Sequence, residues 1–184
     1  MSLHRTTEPN ARSALTGLNA GISKHASPPA RADAATNAHC LSTQARNLFE
    51  RLSLLAPDPV PDFVLLVPVP FAPDEDAHAG LDELIAHTLV TRDANSGTFR
   101  VRRPVYVAAT EQRLFETLYW MIAAFAGDPM DKRCWPWLGR LVPHAEAVAA
   151  RADKAGITEP TAQLVHLIAV LLHARSSTSV MMTH

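Results

Sequence analysis

The chain has 184 residues, and its 17 lysines and arginines against 18 aspartates and glutamates leave a net charge of -1. That balance excludes a whole-molecule electrostatic pull toward nucleic acid or anionic lipid, so any such binding has to come from a local patch. The length suits one ordinary domain, or a small domain with a helical appendage. Cys40 and Cys134 lie far apart without metal-ligand spacing, which fits reduced thiols better than a disulfide framework.

From Met1 to Cys40 the composition is Ala, Ser, Thr, Asn, Pro and Arg with almost no large apolar residues, so residues 1–40 are expected to be disordered. This start lacks the apolar core of a secretory signal, and no apolar run approaches the roughly 20 residues needed to cross a bilayer. A cytoplasmic location is the expectation. Order begins at Leu41-Ser42. Ser42 is a helix N-cap, and Ala45, Leu48, Phe49, Leu52 and Leu55 fall on one helical face that Pro57 terminates. In PDPVPDFVLLVPVPFAPDED the apolar run Phe63 to Val67 is too proline-flanked for a central strand and predicts a helical turn or two entered through Pro61 and Asp62.

A third helix is predicted over about Ala79 to His87, with Leu81, Leu84 and Ile85 facing inward. A hairpin follows, with strands Thr88 to Arg92 and Thr98 to Arg103 around Asn95-Ser96-Gly97, residues tolerant of positive φ. Beyond it the period becomes helical. Leu114, Phe115, Leu118, Met121, Ile122 and Phe125 mark a helix from about Thr110 to Ala126, ended by Gly127-Asp128-Pro129. Trp135-Pro136-Trp137 opens another through Leu138, Leu141, Val142, Ala145, Val148, Ala149 and Ala152, capped at Gly156. The last helix runs from Thr158 or Pro160 to Ala174 through Leu164, Val165, Ile168, Leu171 and Leu172, and SSTSVMMTH should fray.

The expected fold is therefore mainly α: a winged-helix domain over residues 41–108, an α-helical stack like the start of a solenoid over 109–175, which the resemblance given below makes tetratricopeptide-like, and a disordered tail over 176–184. Repeat stacks need several units for stability, so a stack this short leaves the face of Leu164, Ile168, Leu171 and Leu172 without a sequence-encoded partner. Self-association or a protein partner at that face is the corresponding expectation.

No catalytic, cofactor or metal site is expected. The glycines never form a phosphate-binding loop, and neither Gly-x-Ser-x-Gly nor His-Glu-x-x-His occurs. His166 and His173 lie two helical turns apart, too distant to chelate one ion without a third element, and His78 and His87 fare no better. Asp74-Glu75-Asp76 precedes a helix, where carboxylates complement the dipole. Trp120, Trp135 and Trp137 are placed to lock helix junctions. Arg92, Arg100, Arg102 and Arg103 form a basic cluster on the hairpin, the residues by which a winged helix would grip phosphates. The third helix, GLDELIAHTL, is acidic and offers no base-reading side chain, so DNA binding is the alternative rather than the leading expectation.

The ordered series RNLFERLSLLAPDPVPDFVLLVPVP, LDELIAHTLVTRDANSGTFRVRRPV, RLFETLYWMIAAFAGDPMDKRCWPWLGRLVPHAEAVAARADKAGI and TAQLVHLIAVLLHAR resembles the C-terminal part of NB-ARC/tetratricopeptide-repeat proteins, of the STAND class of signal-transduction ATPases. The resemblance covers about Leu41 to Arg175. It implies a winged-helix module followed by a linker with a Trp-Pro then Leu-x-Pro-His signature that leads into repeats. Three departures qualify it: this chain has no counterpart of the ATPase core, Arg102 and Pro104 stand where the family places a histidine and a leucine after the wing, and the repeats stop early. The function expected is a non-catalytic regulatory and protein-interaction fragment of such a signalling ATPase. The alternative is a small winged-helix DNA-binding regulator using the basic wing.

Overall fold

The computed structural model describes residues 40–69, 76–102, 110–125 and 127–181, with side chains as far as residue 177. Within them the protein is mainly helical, with five α-helices, a 3-10 helix and a three-stranded antiparallel sheet. Helix α1 spans Thr43–Leu54 and starts where Ser42 accepts a hydrogen bond from the Ala45 N–H. It ends three residues before Pro57, because the Leu54 carbonyl is taken by the Arg151 guanidinium and Leu55 turns to extended backbone.

Strand β1, Val60–Pro61, was not foreseen. It places Val60 opposite Phe99 and Pro61 opposite Thr98, and its proline is tolerated because β1 is an edge strand. The Phe63 to Val67 run forms the expected short helix, a 3-10 helix over Asp62–Leu66. Helix α2, Ala77–Ala86, begins two residues earlier than predicted, since Asp76 caps the N–H groups of His78 and Ala79.

The hairpin consists of β2, Val90–Asp93, and β3, Thr98–Val101, in a sheet of order β1-β3-β2. Its strands are shorter than predicted at their outer ends. Thr88 adopts φ 58°, a left-handed turn between α2 and β2, so the strand cannot begin there. Of Asn95, Ser96 and Gly97, only Gly97 takes positive φ, because the Asp93 carboxylate folds the turn by accepting from the Asn95 N–H and the Ser96 hydroxyl.

Helix α3 spans Glu111–Ala124 behind a Thr110 cap, and α4 spans Trp135–Lys154. Helix α4 ends in a hydrogen-bonded left-handed cap: Gly156, at φ 77°, donates to the Asp153 carbonyl, and Ile157 donates to that of Ala152. The link 155–158 folds helix α5, Glu159–Met181, back along α4. Helix α5 continues past Ala174, where fraying was expected; Ser176 and Ser177 donate to the His173 carbonyl within it. Residues 1–39 and 182–184 lie outside the described residues.

One contiguous core runs from Leu41 to Leu171 and includes Phe49, Leu81, Phe99, Trp120, Leu138 and Leu164. The sheet unit and the helical stack are therefore packed together. The expectation of an unpartnered last helix needs correction. Leu164, Ile168 and Leu171 are buried against α3 and α4, and only Leu172 of that set is exposed.

Candidate docking surfaces

The junction between sheet unit and stack is built from charge as well as apolar surface. Arg113 on α3 donates to Glu50 (2.9 Å) and Asn47 (2.7 Å) on α1, and to Glu116 (2.6 Å) one turn along its own helix. Arg51, 1% exposed, brings its Nε to 3.8 Å from the same Glu116 oxygen. Trp120 donates its indole N–H to the Val67 carbonyl at 3.2 Å. Trp137 packs edge-on against Phe63, and Trp135 donates to the Pro129 carbonyl. All three tryptophans thus sit at junctions between chain segments.

His144 on α4 completes this seam. The imidazole is fully buried, and its Nε2 donates to the Pro59 carbonyl at 3.2 Å. Burial holds its pKa below the ordinary histidine range, outweighing that hydrogen bond. The histidine is neutral at physiological pH and serves packing.

The four hairpin arginines do not act as one cluster. Arg92 is clamped through Nε (2.9 Å) and Nη2 (2.6 Å) onto Asp62, bracing the hairpin against the 3-10 helix. Arg100 is exposed and lies directly across from Thr91. Arg102 is exposed while its backbone N–H donates to the Leu89 carbonyl. Arg103 lies outside the described residues. A cleft of about 510 Å³ lies between the hairpin and α4, and the structure brings Arg140 from α4 into it beside Arg92 and Arg100. Asp58 and Asp93 line the same cleft, so its charge is mixed. The Asp93 carboxyl is held below the usual carboxylate range by hydrogen bonds from Ser96 and Asn95, and it stays ionised beside the arginines.

Helix α2 is as unsuited to phosphates as its sequence implies. Asp82 is exposed, and Glu83 accepts from both the N–H (2.7 Å) and hydroxyl (2.6 Å) of Ser42. Those bonds hold the Glu83 carboxyl below the usual range and keep it charged.

A second surface lies between α4 and α5: a groove of about 360 Å³ lined by Ala149, Ala150, Thr161, Val165 and Ile168, with Glu146 and Asp153 beside them. Between Thr161 and Ala174, helix α5 contains no Asp, Glu, Lys or Arg. Its solvent face carries Ala162, Val165, Ala169 and Leu172, with Val165 49% and Leu172 44% exposed, interleaved with the exposed but uncharged Gln163, His166 and His173. An outer helix face without charge that exposes two large apolar side chains suits a covering partner better than open water. The signal is present in the sequence, since a solvent-facing helix normally carries charge on its outer face and residues 161–174 carry none.

Among the described residues no group of His, Cys, Asp and Glu could hold a metal ion; His166 and His173 both point outward on α5. Asp76 acts as the α2 cap, and Asp74 and Glu75 lie outside the described residues. No described helix is long and apolar enough to cross a membrane. Comparison with protein-family models, curated proteins and solved structures found no match.

Proposed function

We infer that this chain is a non-catalytic regulatory and protein-interaction segment, in which a winged-helix-like unit carries the opening helices of a tetratricopeptide-like stack. The type of parent proposed is an NB-ARC/tetratricopeptide-repeat signalling ATPase. The winged-helix reading draws on the order helix, strand, short helix, helix, hairpin and on the sheet order β1-β3-β2. The interaction reading rests on one observation, the uncharged outer face of α5 beside the α4–α5 groove. A partner covering that face would remove Val165, Ala169 and Leu172 from water.

Calorimetric titration with Mg-ATP tests the non-catalytic half. No heat of binding is expected, and micromolar affinity for the nucleotide would overturn it. The alternative, a DNA-binding regulator, draws on the exposed Arg100 and Arg102 and is opposed by the acidic α2. Gel shifts with a mixed-sequence duplex decide it: phosphate contacts must weaken steeply as salt rises, and no shift is expected even at low salt.

A further inference from the structure

We propose that the α4–α5 groove takes an amphipathic helix of a partner protein, bearing an apolar ridge and two cationic side chains two turns apart. The proposal rests on the interaction reading above and specifies the partner's chemistry. The apolar part follows from the groove's floor and far wall. Ala149 and Ala150 on α4 are small, Ile168 is buried at the α5 side and Val165 stands exposed beside it, so the groove is an apolar furrow that leucine-sized knobs can fill. Ala169 and Leu172, four and seven residues beyond Val165, are exposed on the same helix.

The cationic part follows from the near wall. Glu146 and Asp153 are both exposed on α4, seven residues apart, so they stand on one face about 10.5 Å apart along the axis. Neither forms an ion pair among the described residues, and α5 opposite supplies no charge of its own from Thr161 to Ala174. A docked helix with Lys or Arg at the same seven-residue spacing would meet both carboxylates while its leucines enter the furrow. An acidic helix would face like charges, and an extended strand would leave its backbone groups against an apolar floor. Nucleic acid is disfavoured by the same two carboxylates.

The test uses the full chain and a fluorescent helical peptide with leucines at three- and four-residue spacing and two arginines seven positions apart. Companion peptides carry glutamine or glutamate in place of both arginines. The arginine peptide should bind at least about tenfold more tightly than the glutamate peptide, and Glu146→Arg with Asp153→Arg should reverse that order. Both substitutions are on exposed positions, and circular dichroism checks the fold; if the double variant is unfolded, Asp153→Arg alone should erase most of the preference. Binding of all three peptides equally, with loss in Val165→Glu, overturns the cationic partner but leaves the interaction reading standing. A dimer in sedimentation that Val165→Glu dissolves, without peptide binding, assigns the face to a second copy and overturns the proposal. No binding by any peptide and a monomer at all concentrations overturn both.

Discussion

Replacing Glu116 by glutamine keeps the side-chain shape but removes one charge from the seam between α1 and α3, and it turns one of the two oxygens that accept from Gln112 and Arg113 into a donor. Glu116 sits 2.6 Å from Arg113 and 3.8 Å from Arg51, with side-chain exposures of 15% for Glu116, 17% for Arg113 and 2% for Arg51. Breaking a buried pair by removing one partner costs about 3–5 kcal/mol, because the remaining charge stays desolvated. Arg113 keeps Glu50 and Asn47, so the loss should fall at or just below the low end, about 2–3 kcal/mol. With a urea m-value of about 2 kcal/mol/M, the midpoint of unfolding should fall by roughly 1–1.5 M, followed through tryptophan fluorescence. Arg51→Met together with Glu116→Gln should cost less than the sum of the two single changes, giving a non-additive cycle. A shift corresponding to less than about 0.5 kcal/mol, or strict additivity, would show that the seam is held by apolar packing and the charges are incidental.

Three further outcomes follow from particular residues. A Cβ at Gly127 would stand 2.5 Å from the Trp137 ring, so Gly127→Ala must displace the indole from Phe63 and should cost about 1–3 kcal/mol in thermal or urea unfolding. Thr88 holds φ 58° with a β-branched side chain; Thr88→Asn, which tolerates that conformation, should stabilise the protein by about 1 kcal/mol, measured as a higher urea midpoint. His144 has a folded pKa below its unfolded value of 6.5, so the unfolded chain binds the proton more readily. Stability should therefore be flat above that value and fall as pH drops below 6.5, and His144→Gln should remove this part of the acid sensitivity in urea titrations at several pH values.

The helices were legible because their cores repeat at three and four residues and some of their ends carry local signals: Ser42 as a cap, Gly156 as a stop. Strand β1 was illegible for the opposite reason. Two residues flanked by prolines carry no period, and Val60 becomes a strand only through its pairing with Phe99. The α5 extension beyond Ala174 lacks an apolar repeat, and nothing in the sequence forces a stop there. The face of Leu164, Ile168 and Leu171 was read correctly as apolar, but its partners on α3 and α4 depend on the tertiary angle of the stack, which spacing does not specify. Likewise Arg92 and Asp62 are 30 residues apart, and Arg140 reaches the hairpin cleft from another helix; neither relation is written locally.

The most direct measurement of the central claim is the binding of the uncharged amphipathic peptide to the wild-type chain and to Val165→Glu with Leu172→Glu, by fluorescence anisotropy alongside thermal melts. The exposed positions predict saturable binding by the wild type, a loss of at least about tenfold in the variant and nearly unchanged melting temperatures. Equal binding by the two proteins, or none by either, would contradict the assignment of the α5 face as a docking surface.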